Sequence, residues 1–257
     1  MANASDGEQG RYTTGSGRGW NGELEMNRPP WFFDEPAHAG AEHLDPAYVA
    51  AYDRKAQTDP SSDLARLQRL GLDDTSTLVD FGAGTGTFAL AAAPACGRVV
   101  AVDASAAMLD MLRDRARRMG LINIDAAHSG FLTYTHQGAP ADFAYSRNAL
   151  HHLPDFWKSL ALERVAATLR PGGIFYLRDL VYSFAPEDAS RVIDGWLARA
   201  PARPEEGYTA ADLATHVREE YSTYSWLLEP MIARAGFEIR DAEYPSAVFA
   251  AYTCVRR

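Results

Sequence analysis

The chain is poor in cysteine and almost without lysine. Its 257 residues hold two cysteines, Cys96 and Cys254, in no CxxC or Cys/His spacing. That pattern excludes a zinc ribbon and a disulfide framework, and both thiols read as buried small apolar residues. Of the 25 basic residues two are lysines, Lys55 and Lys158, and the rest are arginine. With 34 acidic residues the net charge is −9, which argues against a broad positive surface for nucleic acid or anionic lipid. No apolar run approaches bilayer length and no apolar leader opens the chain, so the expectation is a cytoplasmic protein without a membrane partner. No internal repeat is visible. What remains is ordinary globular material, 47% hydrophobic and 23% charged, enough for one large α/β domain or two small ones.

Residues 1–22 are rich in Gly, Ser, Thr and Asn without periodicity and are expected to be a mobile tail. Residues 23–70 are expected to form a helical lid segment. It contains the aromatic cluster Trp31, Phe32 and Phe33, a helix opening at Asp45-Pro46 and running to about Gln57, and another capped by Ser61 or Ser62 and ended by Gly71. From 71 to 257 strand and helix patterns alternate. Leu78–Phe81 and Arg98–Val102 read as strands, followed by INIDAA, ADFAYS and GGIFYLRDL. Ser105 caps an amphipathic helix that stops at Gly120. A helical insertion occupies about 185–235, with Thr209 and Thr223 as caps, and GFEIRDAEY with SAVFAAYTCVR closes the chain as an antiparallel pair. Alternation of this kind predicts a mostly parallel sheet with helices on both faces.

The most informative stretch is TLVDFGAGTGTFALAAAPACGRVVAVD, Thr77 to Asp103. Glycines at 82, 84 and 86 follow a strand directly. Glycine there permits positive φ and lets a ligand approach the backbone. Asp103 ends the next strand, where a carboxylate can accept both hydroxyls of a ribose. The spacing is GxGxG rather than GxGxxG, and Asp80 precedes it. A carboxylate beside the loop repels a pyrophosphate but suits a ligand bearing an ammonium group. VDFGAGTG followed by VVAVD resembles motifs I and II of the class I S-adenosylmethionine-dependent methyltransferases. The resemblance continues through YSRNALHHLPD, LRPGGIFYLRDL and the closing AGFEI hairpin, covering about 70 to 257 in the family's order. It implies a Rossmann-like, seven-stranded, mostly parallel sheet with a C-terminal antiparallel strand pair, and S-adenosylmethionine as cofactor. The cofactor-binding set it implies is Asp80, Gly82, Ala83, Gly84, Gly86, Asp103, Ala104, Gly130, Phe131, Ser146 and Arg147. The family places the loop after its third strand against the adenine. His128 to Phe131 fills that slot here without the family's usual acid, leaving Ser129 or backbone groups to serve. Arg147 and Asn148 then act mainly through their backbone beside the methionine end, and Lys55, with Tyr52 on the same helix face, is a candidate partner for the cofactor's carboxylate.

Methyl transfer from a sulfonium is an in-line displacement in which holding the nucleophile near the methyl group provides most of the catalysis. A base is required only where a proton must leave early. His151, His152 and Asp179 are the candidate catalytic residues, against structural roles in capping or packing. Glu42, His43 and Asp45 with His38 match no known metal spacing, and His216 with Glu219 and Glu220 lacks the second histidine of a zincin, so no metal is expected. Aromatic residues outside the core segments suit a small, flat or apolar acceptor. The fourth-strand segment reads SRNA, not the Asn/Asp-Pro-Pro-aromatic motif of nucleic-acid amino-methylating enzymes, so no nucleic-acid partner is expected. A monomer or homodimer acting on a small molecule is the resulting picture. An NAD-dependent oxidoreductase and a non-catalytic protein retaining the cofactor fold are the alternatives.

Overall fold

A computed structural model describes residues 29–38, 49 and 59–257. The tail at 1–22 and the helix expected from Asp45, with Tyr52 and Lys55, lie outside them. Residues up to Phe32 form one compact unit and Phe33–Arg257 another. Of the first unit the described part is a turn in which Phe32 N–H donates to Pro29 O at 2.9 Å.

The second unit is built on one sheet. Strands β1 (Thr77–Phe81), β2 (Arg98–Asp103), β3 (Ile124–His128), β4 (Ala141–Arg147), β5 (Leu169–Tyr182), β6 (Thr223–Tyr224), β7 (Phe237–Ser246) and β8 (Phe249–Arg256) are laid out in the order β3-β2-β1-β4-β5-β8-β7, with β6 beside β5. β1 to β5 pair in parallel; β8 runs antiparallel to both β5 and β7. This matches the expected parallel sheet with an antiparallel C-terminal pair. The count is eight rather than seven, because the insertion contributes β6 as a two-residue parallel strand.

Side chains alternate across each strand. Leu78, Val99, Ala101, Phe143, Tyr145 and Tyr176 form one core layer with Leu67, Phe88, Ala89, Leu109 and Leu112 of the helices Ser61–Arg69, Thr87–Ala92 and Ala106–Arg118. Their strand neighbours Val79, Phe81, Val100, Val102, Phe175 and Leu177 are also buried, as are Leu162, Val165, Leu228 and Ile232 of the helices Asp155–Thr168 and Ser225–Arg234. Covering both faces explains why the central strands are apolar throughout instead of alternating with polar residues. β7 forms the far edge and carries Arg240, Asp241 and Glu243 on exposed positions, which discourages pairing with another sheet.

Several local readings change. The helix Ser61–Arg69 is not capped by its own serines: Asp59 Oδ1 accepts Ser61 N–H at 2.9 Å, and Gly71 at φ +101° ends it as expected. Thr209 caps the helix Ala210–Glu219 in a reciprocal box with Asp212, but Thr223 lies in β6 and donates to Asp155 Oδ2 at 3.1 Å. Pro171-Gly172-Gly173 is a bulge inside β5, since pairing with β4 jumps from Leu169 to Ile174.

The helix Ser61–Arg69 also belongs to the sheet's own unit, where its buried Asp63 accepts three donors. Tyr145 Oη lies 2.8 Å from Asp63 Oδ2, Arg147 Nη1 3.1 Å from the same oxygen, and Arg178 Nη1 3.2 Å from Oδ1. Losing that carboxylate leaves two guanidinium groups without their shared partner. Asp63→Ala is expected to cost about 3 kcal/mol of stability in a urea melt; a loss within the error of the melt rules this anchor out.

Candidate active site

β1 and β2 run in a register that sets Phe81 beside Val102, so their loops leave the sheet at one level. Gly82 and Ala83 N–H both donate to Val102 O, at 2.9 and 3.0 Å. Gly84 N–H then meets Asp103 Oδ2 at 2.7 Å, while Ser105 N–H holds Asp103 Oδ1 at 2.8 Å. The carboxylate is thereby oriented by two backbone donors before any ligand arrives.

The glycines of the loop serve different ends. At Gly84, φ is +54° and an added Cβ would meet nothing within 4 Å, so this backbone faces open space. At Gly86, φ is +86° and a Cβ would stand 2.6 Å from Leu112 Cγ; this residue lets two helices approach each other. Gly82 likewise makes room for Ala149, whose Cβ would lie 2.3 Å away.

A cleft of about 720 Å³, counted with its solvent-open space, lies along this rim. Eight residues of the sequence-based set line it: Gly82, Gly84, Asp103, Ala104, Gly130, Phe131, Arg147 and His152. Ser129 and Asn148 line it as well. Asn148 holds φ at +52°, a left-handed conformation that asparagine tolerates better than most residues, and its N–H donates to Arg178 O at 2.9 Å. Arg147 brings a buried Nε without a partner in the structure.

Six expected site residues stand behind the lining. Ala83 packs on the apolar core, Gly86 starts the helix Thr87–Ala92, and Ser146 is wholly buried within β4. Asp80 is 2% exposed, and its Oδ2 has no partner in the structure. Burial, with the charge of Asp103 added to it, pushes its carboxyl up to about 8. At neutral pH Asp80 is therefore protonated, which removes the charge by which it was expected to attract an ammonium group.

The remaining two, His151 and Asp179, face each other below the cleft. His151 Nδ1 lies 2.5 Å from Asp179 Oδ1, and His151 N–H donates to Asp179 Oδ2 at 3.1 Å. The other ring nitrogen, Nε2, is 3.0 Å from Glu220 Oε2. Burial alone favours the neutral ring, but the two carboxylates outweigh it and raise the His151 pKa to about 9. Asp179 moves the opposite way: burial pushes it up and His151 more than reverses this. Glu220 also holds His216 Nδ1 at 2.5 Å. Of the three candidate catalytic residues only His152 reaches the cleft, its ring centroid 4.3 Å from that of His151.

Glu35 is an acidic lining residue that the sequence reading missed, as it did the apolar Met108, Ala149 and Leu153. It opens a single helical turn, Glu35–His38, and is buried although acidic. Leu132 N–H donates to its Oε2 at 3.0 Å, and a Cβ on Gly130 would meet its carboxylate at 2.3–2.4 Å. The adenine-side loop lacks an acid of its own, and the space that a side chain at 130 would enter is filled by this one. Nothing in DEPAH signals such a contact with a loop almost a hundred residues away.

Residues 78–173 match the family model described as a methyltransferase domain. The matched stretch runs from β1 into β5 and includes the glycine loop and Asp103. Residues 78–173 thus carry a methyltransferase domain of that family, within a Rossmann-like fold. The chain is similar to the cypemycin N-terminal methyltransferase of a Streptomyces species, 35% identical over 105 residues, covering 40% of this chain and 42% of that protein. It is also similar to the trans-aconitate 2-methyltransferase of Methylobacterium radiotolerans, 34% identical over 120 residues, covering 46% of this chain and 42% of that one. The match thus spans less than half the length of either relative. Among solved structures, magnesium protoporphyrin IX methyltransferase from Synechocystis PCC 6803 with bound S-adenosylmethionine superposes with a TM-score of 0.60, 13% identity, 89% of this chain and 100% of that one. At that identity it shows the fold alone.

The residues at this rim fit S-adenosylmethionine, the molecule bound in the Synechocystis neighbour. Gly84 leaves a cradle that a Cβ would intrude upon, Asp103 is oriented by backbone donors where it could accept a ribose, and Arg147 Nε, without a partner among the described residues, belongs to a lining residue.

Asp80 gives a pH-dependent prediction. Its folded pKa, about 8, lies above the unfolded value of 3.8, so the native state binds the proton more tightly. Stability is then lost as pH rises between those values, by about 1.4 kcal/mol per unit. Asp80→Asn is expected to melt above the unsubstituted protein at pH 8, with a gap that narrows toward pH 5. A gap independent of pH refutes the shift.

Proposed function

We propose that this chain transfers a methyl group from S-adenosylmethionine to a small aromatic or apolar metabolite. The observation that carries the reading is the Asp103 carboxylate, fixed by Gly84 and Ser105 N–H at the rim of the cleft. When bound, the cofactor supplies a methyl group already activated on a sulfonium. The chain's own residues then have to bind, orient and exclude water. Asp103 accepts the ribose hydroxyls. Gly84 lets the amino-acid portion lie against the backbone. Phe131, Met108 and Leu153 supply apolar walls.

Glu35 takes the part of the missing adenine-side acid and accepts the exocyclic amine. Its carboxylate occupies the space beside Gly130, and Phe33 next to it packs on Trp157 with ring centroids 5.9 Å apart, which anchors the segment.

The acceptor class follows from what surrounds the strand ends. Tyr182 and Phe184 at the end of β5 meet Tyr224, with centroids at 5.7 and 5.5 Å, and Tyr224 stacks on Trp226 at 5.4 Å. Such a wall favours flat or apolar surfaces over charged polymers. The relatives named for cypemycin and for trans-aconitate differ in acceptor from each other, so neither name transfers to this chain.

Calorimetric titration with S-adenosylmethionine and S-adenosylhomocysteine tests the cofactor, and release of S-adenosylhomocysteine across an aromatic metabolite library tests the reaction. Asp103→Ala is expected to weaken cofactor binding by about 1.5–3 kcal/mol; unchanged affinity defeats the assignment. Glu35→Ala is expected to weaken it too. The double variant Glu35→Ala with Gly130→Asp should recover affinity, since the new carboxylate enters the vacated space. Affinity indifferent to both changes removes Glu35 from the site.

A further inference from the structure

The buried polar cluster beneath the cleft has an arrangement that the methyl-transfer reading does not use. His151 follows β4, while His216 and Glu220 lie one turn apart at the end of the helix Ala210–Glu219. The fold packs these two elements together, and Tyr221 N–H donates to His151 O at 3.0 Å. As a result His151 Nε2, His216 Nδ1 and a Glu220 carboxylate oxygen all lie within 4.8 Å of one another. From this geometry we infer that His151, His216 and Glu220 form a binding site for a divalent first-row transition cation of the zinc type.

Four observations support the assignment. The donors are two imidazoles and a carboxylate, a set that suits zinc, nickel, iron(II) and cobalt(II) rather than magnesium or calcium. Each histidine has its other nitrogen engaged, His151 Nδ1 by Asp179 Oδ1 at 2.5 Å and His216 Nε2 by Ser222 Oγ at 2.8 Å. That outer support fixes which nitrogen is left for a metal, and the Asp179–His151 pair is the carboxylate–histidine arrangement common behind metal ligands. The spacing is near that of a filled site. Donors on a tetrahedral zinc stand about 3.3 Å apart, and here Glu220 Oε2 is 3.0 Å from His151 Nε2 and 2.5 Å from His216 Nδ1. Only Glu220 must yield, and its side chain is the most exposed of the three at 30%, which also opens a path for the ion.

Charge is the fourth. Asp179 and Glu220 bring two carboxylates, and nearby Lys158 is already held by Asp155 Oδ1 at 2.9 Å and by Tyr221 O. A divalent cation with two neutral imidazoles balances those carboxylates. Binding displaces the protons that His151 Nε2 and His216 Nδ1 direct at Glu220, any excess leaving to solvent, and each ring ends neutral with its one proton on the nitrogen facing Asp179 or Ser222. The cluster adjoins the cleft through His152, whose Nδ1 is 3.9 Å from Glu220 Oε2, so an ion here would stand beside the acceptor's end of the active site.

The assignment is independent of the cofactor reading, because it is read with metal alone. The full chain is stripped with a chelator and titrated with Zn²⁺ by calorimetry, and with Co²⁺ by its visible spectrum. One equivalent per chain is expected, with a Co²⁺ spectrum of low coordination number. Asp179→Asn should weaken Zn²⁺ binding by roughly 10- to 100-fold, and His216→Gln and Glu220→Gln by more. Glu219→Gln, on an exposed residue paired with Arg218, should leave it unchanged. Glu220→Gln keeps the test decisive if His216→Gln does not fold, since Glu220 is partly exposed. No saturable uptake, or uptake that Glu220→Gln leaves intact, shows a hydrogen-bonded network only and overturns the site.

Discussion

The register between β1 and β2 is the constraint on which the site depends. Because Phe81 sits beside Val102, both strands end together, and Val102 O receives the first two amides of the loop that leaves β1. The loop can then only turn back over the end of β2, where Asp103 accepts Gly84 N–H. A one-residue slip would turn Asp103 to the other face of the sheet and bring Val102 into its place. The register is held in turn by burial, since Leu78, Val79, Val99 and Ala101 are fully buried and tolerate no exchange of faces. Ligand recognition at this rim thus rests on core packing several residues away.

Half-buried and buried acids lie at and behind the rim, and their environments differ. Asp103 is held by two backbone donors and remains ready to accept more. Asp80, two strand positions from the glycine loop, has desolvation and a like charge against it and takes up a proton. Asp63 and Asp179 are buried as deeply but have cationic partners, the arginines 147 and 178 in one case and His151 in the other. Buried carboxylates persist where a partner or a proton offsets the loss of water. By that criterion Asp63 is architecture, Asp103 is an acceptor held at the cleft, and the Asp179–His151–Glu220 chain is a preorganised polar network.

The cofactor half of the molecule was largely legible in the sequence because its signals are local. Strand periodicity, the GxGxG turn, Ser105 as cap and the acid ending β2 all lie within a few residues of the structure they specify. What the sequence did not disclose depends on contacts across the fold. Glu35 becomes a site residue only because Gly130 leaves room for it, and neither residue signals the other. Thr223 looks like a cap by type, yet β5 offers it a strand partner. His216 and Glu220, read alone, lack the second histidine of a metal motif. That histidine is His151, brought alongside by packing between β4 and the insertion. Gly86 was legible as a glycine that must be there but not as one serving Leu112 instead of a ligand.

The family match ends at residue 173, and that boundary coincides with a division of labour in the structure. Within it lie Gly84, Asp103, Gly130 and Arg147, which line the cleft. Beyond it lie Asp179, the aromatic wall at Phe184, Tyr224 and Trp226, and the pair His216 and Glu220. All of these are carried by the end of β5 or by the insertion. The insertion is tied into the sheet by β6 and by Lys158, whose buried ammonium donates to Tyr221 O next to Glu220. An insertion anchored this way can vary in sequence without disturbing the register that holds Asp103. On the reading proposed above, selectivity for the acceptor would reside in this segment beyond the matched domain, and a common cofactor need not imply a common substrate.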